Sequence, residues 1–169
     1  MIGLRIARIQ PPHHWHLDAI QQAFSHGIKK LVIGIGSSDK LHTPDNPFSA
    51  QERHHMIQTL LDQHNLSAHT EIYQLPDFPD DAQRLQHIAD KLPAFTHVVS
   101  DNPQVTDLFP DRHIIQPENR IIIRASDIRQ AIINQNHTII NQFLSPEIIH
   151  YLQEIDAYER IRNLCQKRQ

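Results

Sequence analysis

Two histidines three residues apart, His13 and His16, with Arg8 just upstream, are the residues in this chain whose types and spacing most suggest chemistry. The run Leu4-Arg5-Ile6-Ala7 before them reads as a strand, and Trp15 to Phe24 after them reads as an amphipathic helix. A strand that feeds a helix start is a natural seat for phosphate, because free backbone N–H groups and the helix dipole both favour an anion there. On spacing alone three readings stay open: the histidines stabilise phosphoryl charge, bind a metal at i,i+3, or are ordinary polar residues of a turn. No acidic or cysteine partner stands beside them at metal spacing, which weighs against the second.

A second cluster lies further on, in Ser126-Asp127-Ile128-Arg129. Ser126 is expected as an N-cap and Asp127 suits the positive end of the helix dipole. Arg129 sits one turn in, and with Arg120 and Arg124 upstream it makes three arginines around one helix start, a pattern suited to polyphosphate. Ser49-Ala50-Gln51-Glu52 reads as a capping box. Arg53, next to it, fits a solvated helix face and a phosphate contact equally well. Cys165 reads as an ordinary thiol near a helix end.

These residues need elements to position them. Strands are expected at Leu4–Ile9, Leu31–Ile35, Ala68–Gln74, Thr96–Ser100 and Arg112–Ile115. Helices are expected at Trp15–Ser25, Ala50–His64, Ala82–Lys91 and Pro103–Phe109, then at Ser126–Ile133, Pro146–Ile155 and Ala157–Gln166. The alternation predicts an α/β fold with a doubly wound parallel sheet, with Ile6, Val32, Ile33, Val98 and Val99 in its buried strands. Ligands of such sheets bind beyond the carboxyl ends of the strands, so the loops after Ile9, Ile35 and Ser100 should converge on one crevice. The whole chain, 1–169, reads as one domain whose part from about residue 126 is helical.

Composition narrows the class. A net charge of −3 offers no basic surface for nucleic acid. No apolar run reaches about 18 residues and no leader is visible, so neither a membrane span nor a signal peptide is expected. A single cysteine excludes a disulfide framework and fits a reduced, cytoplasmic setting. Four glycines are few for a phosphate loop built on close backbone approach.

Several motifs together resemble the archaeal-type nicotinamide-nucleotide adenylyltransferases of the H-x-G-H nucleotidyltransferase superfamily. Arg8-Ile9-Gln10-Pro11-Pro12-His13-x-x-His16-Leu17 is similar to R-F-Q-P-F-H-x-G-H-L. Ile33-Gly34-Ile35-Gly36-Ser37-Ser38, His42-Thr43 and Asn46-Pro47-Phe48-Ser49-Ala50-Gln51-Glu52-Arg53 resemble I-G-I-G-S-A, H-T and N-P-F-T-A-G-E-R. Ser100-Asp101-Asn102-Pro103 looks like S-G-N-P, and Asn119-Arg120 with Ser126-Asp127-Ile128-Arg129 looks like N-R followed by S-G-T-E-I-R. Pro146-Glu147 and Glu159-Arg160-Ile161 resemble the family's C-terminal helices.

The resemblance implies a Rossmann-like fold, Mg²⁺ bound with ATP, and transfer of the AMP moiety of ATP to nicotinamide or nicotinate mononucleotide with release of pyrophosphate. It implies catalytic roles for His13, His16 and Arg129, with Ala7, Arg8, Trp15, Asn102, Arg124 and Ser126 around ATP. Gly36, Ser37, Ser38, Asp81 and Arg84 would meet the acceptor, the metal would be held by phosphates, and the chain would form a homo-oligomer. Departures fall on ligand-facing positions. Trp15, Ala7, Asp101 and Ala125 replace glycines, Arg124 a serine, Asp81 an asparagine and Arg84 a stacking tryptophan. An indole at position 15 is expected to block or re-route the adenine unless the loop moves. Asp101 needs a cation between itself and phosphate. Arg84 suits a carboxylate-bearing acceptor, or pairs with Asp80 or Asp81 on the helix surface. Two readings follow: an adenylyltransferase of NAD biosynthesis, or a nucleotide-binding or regulatory homologue that keeps the fold without the chemistry.

Overall fold

Five strands rich in β-branched residues form the centre of the protein: β1 (Ile2–Ala7), β2 (Lys30–Ile35), β3 (Thr70–Gln74), β4 (His97–Val99) and β5 (His113–Ile115). The computed structural model describes residues 1–118 and 123–166. The strands pair in the order β3-β2-β1-β4-β5 and every pair is parallel. The helices are α1 (His14–Ser25), α2 (Ala50–Gln63), α3 (Asp81–Lys91), α4 (Pro103–Thr106), α5 (Ala125–Ile133), α6 (His137–Phe143), α7 (Pro146–Glu154) and α8 (Ala157–Gln166). This is the doubly wound parallel sheet that the alternation of patterns predicts, and the Rossmann-like fold that the resemblance implies. The direction of winding reverses between β1 and β4, so the loops after these two strands diverge there and open a crevice.

Burial on both faces explains the continuous apolar runs. Leu4, Val32 and Val98 face Leu75, Ile88 and Phe109 on one side. Ile33, Ile35 and Val99 pack with Ile20, Ala23 and Ile57 of α1 and α2 on the other. A third core joins Phe48, Met56 and Leu60 to Ile128, Ile132, Ile148 and Leu152 of the C-terminal helices. Glu52 completes the expected capping box with Ser49 and also accepts from Arg160 Nη1 at 2.7 Å, which fastens α8 to the start of α2.

The differences from expectation have local causes. β1 stops at Ala7 rather than Ile9 because Ile9 turns into the left-handed region at φ 56°. Ile6 is only half-buried, whereas Val32, Ile33, Val98 and Val99 are buried. Ser126 is not an N-cap: α5 begins at Ala125, and the Arg124 N–H at the cap donates to the Asp127 carboxylate at 2.8 Å. α4 ends three residues short of Phe109, and α6, capped by the Asn136 side chain on the Ile139 N–H, was not anticipated.

Candidate active site

The loop from β1 to α1 ends on two buried imidazoles. The His13 N–H donates to His16 Nδ1 at 3.2 Å, and the His16 N–H donates to the His13 carbonyl at 2.8 Å. The rings meet edge to face, 4.1 Å between centroids. Because His16 Nδ1 accepts, its proton belongs on Nε2, which leaves that N–H as a donor. His13 Nδ1 is buried without a hydrogen-bond partner, the mark of a group built to meet something else. Burial, then the neighbouring charges of His14 and Arg5, pushes the His13 pKa down to about 4. Burial and the charges of His13 and Arg5 hold His16 well below its ordinary value. Both rings are therefore neutral at pH 7.

Their titration gives a stability prediction. An unfolded His13 takes its proton near pH 6.5 and the folded one only near 4, so the unfolded state binds more protons between those values. The corresponding stability is complete above about pH 6.5 and is lost as pH falls to 4, by about 3 kcal/mol. His13→Asn should flatten the fall in Tm over that window; an unchanged Tm–pH curve would contradict the buried neutral ring.

Two adjoining cavities meet at the switch point. One, of about 530 Å³, is lined by Arg8, His13, Trp15, His16, Arg124, Ser126 and Arg129 among others. Arg129 Nη1 donates to the Gln10 carbonyl at 2.9 Å, and its Nη2 stands 3.8 Å from Asp45. Trp15 is 8% exposed and forms part of the wall of this cavity. The other cavity, of about 330 Å³, is lined by Arg5, Ala7, Gly36, Ser37, Asp77, Phe78, Arg84, His87 and Asn102 among others. Arg8 and Asp101 line both.

The expected site residues divide between the two cavities. Ala7 and Asn102, expected around ATP, line the smaller cavity. Ser38 and Asp81, expected at the acceptor, line neither: the Ser38 N–H donates to the Leu75 carbonyl at 3.0 Å, and Asp81 turns to Arg84 at 3.5 Å. Ser37 remains at the cavity and donates to Asp77 Oδ1 at 2.9 Å. Asn119 and Arg120 lie outside the described residues.

Arg53 is neither a solvated residue nor a phosphate contact. Fully buried, it donates from Nη1 to the carbonyls of Arg8 and Gly36, both at 2.7 Å, and from Nη2 to that of Ser37 at 3.1 Å. It thereby ties the loop after β1 to the loop after β2. Gln10 adds a second tie, giving to the Phe48 carbonyl and accepting from the Phe48 N–H.

Sequence reasoning passed over Arg5, Asp77, Phe78 and His87, which line the smaller cavity. Arg5 left a usable signal, since a charged residue is out of place in a strand buried on both faces. The histidine pair has no third ligand: among the described residues no group of three or more His, Cys, Asp or Glu could hold a metal ion.

Known proteins resemble this chain in sequence and in fold. Residues 8–131 match the family model described as cytidylyltransferase-like. The nicotinamide-nucleotide adenylyltransferase of Methanococcus aeolicus is 33% identical over 99% of this chain and 96% of its own length. That of Pyrococcus horikoshii is 31% identical over 96% and 88%. The chain belongs to the nicotinamide-nucleotide adenylyltransferase family. A bifunctional NMN adenylyltransferase/ADP ribose pyrophosphatase from Francisella tularensis, solved with AMP and a manganese ion, superposes with a TM-score of 0.76 at 23% identity. The match covers 96% of this chain and 52% of that one, so this family member spans about half the length of the bifunctional protein. A Plasmodium falciparum nicotinic acid mononucleotide adenylyltransferase shares the fold at 13% identity and a TM-score of 0.66.

Proposed function

We propose that the chain transfers the adenylyl group of ATP to a pyridine mononucleotide, the dinucleotide-forming step of NAD biosynthesis. The observation that carries this is the pair of cavities meeting at Arg8 and Asp101 beside the His13–His16 pair, in a chain of this family. The larger cavity receives ATP and the smaller the mononucleotide. A 5′-phosphate oxygen of the mononucleotide attacks the α-phosphorus in line, the bond from that phosphorus to the β-bridging oxygen breaks, and pyrophosphate leaves. No covalent enzyme intermediate is needed, so the protein's part is positioning and charge stabilisation.

In this reading His16 Nε2–H donates to an α-phosphate oxygen and His13 faces the phosphates, while Arg124, Ser126 and Arg129 hold the β- and γ-phosphates. A divalent cation, Mg²⁺ in this proposal, shields the triphosphate when bound. The phosphates hold it. The protein is read as a cytoplasmic homo-oligomer that binds neither nucleic acid nor membrane; no helix of the described residues is long and apolar enough to cross one.

The test is pyrophosphate release with ATP, Mg²⁺ and nicotinamide mononucleotide, expected only when all three are present. Binding of ATP without release for either pyridine mononucleotide would instead support a regulatory homologue. Arg84 contributes little to acceptor choice here, because it shares its charge with Asp81 at a half-exposed helix start. Replacing Arg84 by Trp is expected to change the ratio of nicotinate to nicotinamide mononucleotide binding by less than about fivefold. A tenfold or larger change would give Arg84 the carboxylate contact.

A further inference from the structure

Arg5 is a buried cation with unused donors. It lies midway along β1 opposite Ile33 of β2, is 6% exposed, and makes one hydrogen bond, from Nη1 to the Val99 carbonyl at 3.2 Å. Among the described residues no carboxylate lies within ion-pair distance of it; Asp101 is the opposing charge acting on it. A guanidinium has five N–H donors. The unbonded nitrogens of Arg5 are not sealed in protein, and the side chain lines the smaller cavity. Burial lowers its pKa to about 10, which leaves it charged at pH 7.

Its position is as telling as its charge. Arg8 and Asp101, which line the smaller cavity with Arg5, also line the larger one with His13 and His16, and the charge of Arg5 acts on both rings. Elsewhere in the smaller cavity are Phe78 and His87, with ring centroids 4.9 Å apart. A ligand with an anionic group and a flat ring would meet Arg5 with the one and Phe78 and His87 with the other. Asp101, a liability beside phosphate when taken alone, is offset by this arginine.

We infer that Arg5 seats the 5′-phosphate of the acceptor mononucleotide, fixing the attacking oxygen beside the α-phosphate of ATP and selecting phosphorylated over unphosphorylated nucleosides. The inference rests on the transfer reading above and adds a residue to it. An uncompensated buried charge is costly to the free protein, and a ligand anion with two or three oxygens is the partner that a planar fork matches.

The experiment is calorimetric titration of wild type, Arg5→Met and Arg5→Lys with nicotinamide mononucleotide and with nicotinamide riboside, with ATP as a control. Arg5→Met should weaken mononucleotide binding by about 10- to 100-fold and change riboside and ATP binding by less than about threefold. Its Tm should hold or rise, because an apolar side chain replaces a buried charge that has no ion pair. Arg5→Lys should recover part of the affinity, keeping the charge and losing the fork. A lower Tm with both acceptors weakened alike would make Arg5 structural and overturn the inference, as would unchanged discrimination between mononucleotide and riboside. If wild type releases no pyrophosphate with either pyridine mononucleotide, the transfer reading fails and ribose 5-phosphate decides the seat. Binding of that sugar phosphate lost in Arg5→Met upholds it; absent or Arg5-independent binding overturns it.

Discussion

Replacing His16 by alanine should lower turnover by about 10²–10³, equivalent to about 2.7–4 kcal/mol of transition-state stabilisation, as loss of one aimed donor to a developing charge typically does. The His16 Nδ1 bond to the His13 N–H at 3.2 Å fixes which nitrogen carries the proton and where it points. Burial keeps the ring neutral, so in the proposed role it would act as an oriented N–H dipole, with standing positive charge from the arginines of the same cavity. That division predicts a kcat effect with only a few-fold change in KM for ATP, since in the proposed reading the triphosphate would keep Arg124, Ser126 and Arg129. The alanine variant also leaves the His13 N–H without its acceptor, about 1–3 kcal/mol of stability. His16→Gln, whose amide can reach the Nε2 position, should therefore recover part of the rate. Steady-state pyrophosphate release on the three proteins decides the matter, and unchanged turnover in His16→Ala would remove His16 from the chemistry.

What could be read in the sequence was what depends on near neighbours. Period-two and period-3.6 patterns identify strands and helices from local runs, and parallel alternation leaves few topologies, so the crevice after β1 could be foreseen. The His13–His16 spacing and the Ser49–Glu52 box are local in the same sense. Trp15 was ambiguous because a side chain's direction at a helix start is set by what packs on it from elsewhere. Here it turns into a wall that also contains Ile123 and Ala125, far along the chain. Ser126 misled because its type suits a cap, whereas the Arg124 N–H to Asp127 bond starts the helix earlier. The cation that opposes Asp101 is Arg5, in the strand paired with β4 and 96 residues away in sequence, so no local run links the two. Arg53 was the least legible, since three of its four carbonyl partners lie 16 to 45 residues away and carry no side-chain signature.

Arg53 also gives the largest expected effect on stability. Three of the carbonyls it satisfies belong to Arg8, Gly36 and Ser37, in the two loops that frame the smaller cavity. Two of the residues in these loops, Ile9 at φ 56° and Ser37 at φ 49°, hold left-handed backbone conformations, unfavourable by about 1–3 kcal/mol each for residues with a side chain. Such conformations persist only where surrounding bonds over-determine them, and here Arg53 supplies those bonds. Burial lowers its pKa to about 10, so the guanidinium stays charged at neutral pH and donates charge-assisted bonds. Arg53→Met keeps much of the volume and removes every donor, leaving buried carbonyls unpaired. The expected loss is about 3–5 kcal/mol, or roughly 6–20 °C in Tm for a chain of this size. Arg53→Lys should recover little, because an ammonium cannot span carbonyls of both loops as a fork does. If the variant folds at low temperature, its KM for the mononucleotide should rise more than its KM for ATP, since Gly36 and Ser37 line only the smaller cavity. Arg124→Ala, an exposed residue of the larger cavity, should show the converse: weaker ATP binding at nearly wild-type Tm. Urea and thermal unfolding of Arg53→Met provide the measurement, and a stability within about 1 kcal/mol of wild type would show that the two loops hold their shape without the clamp.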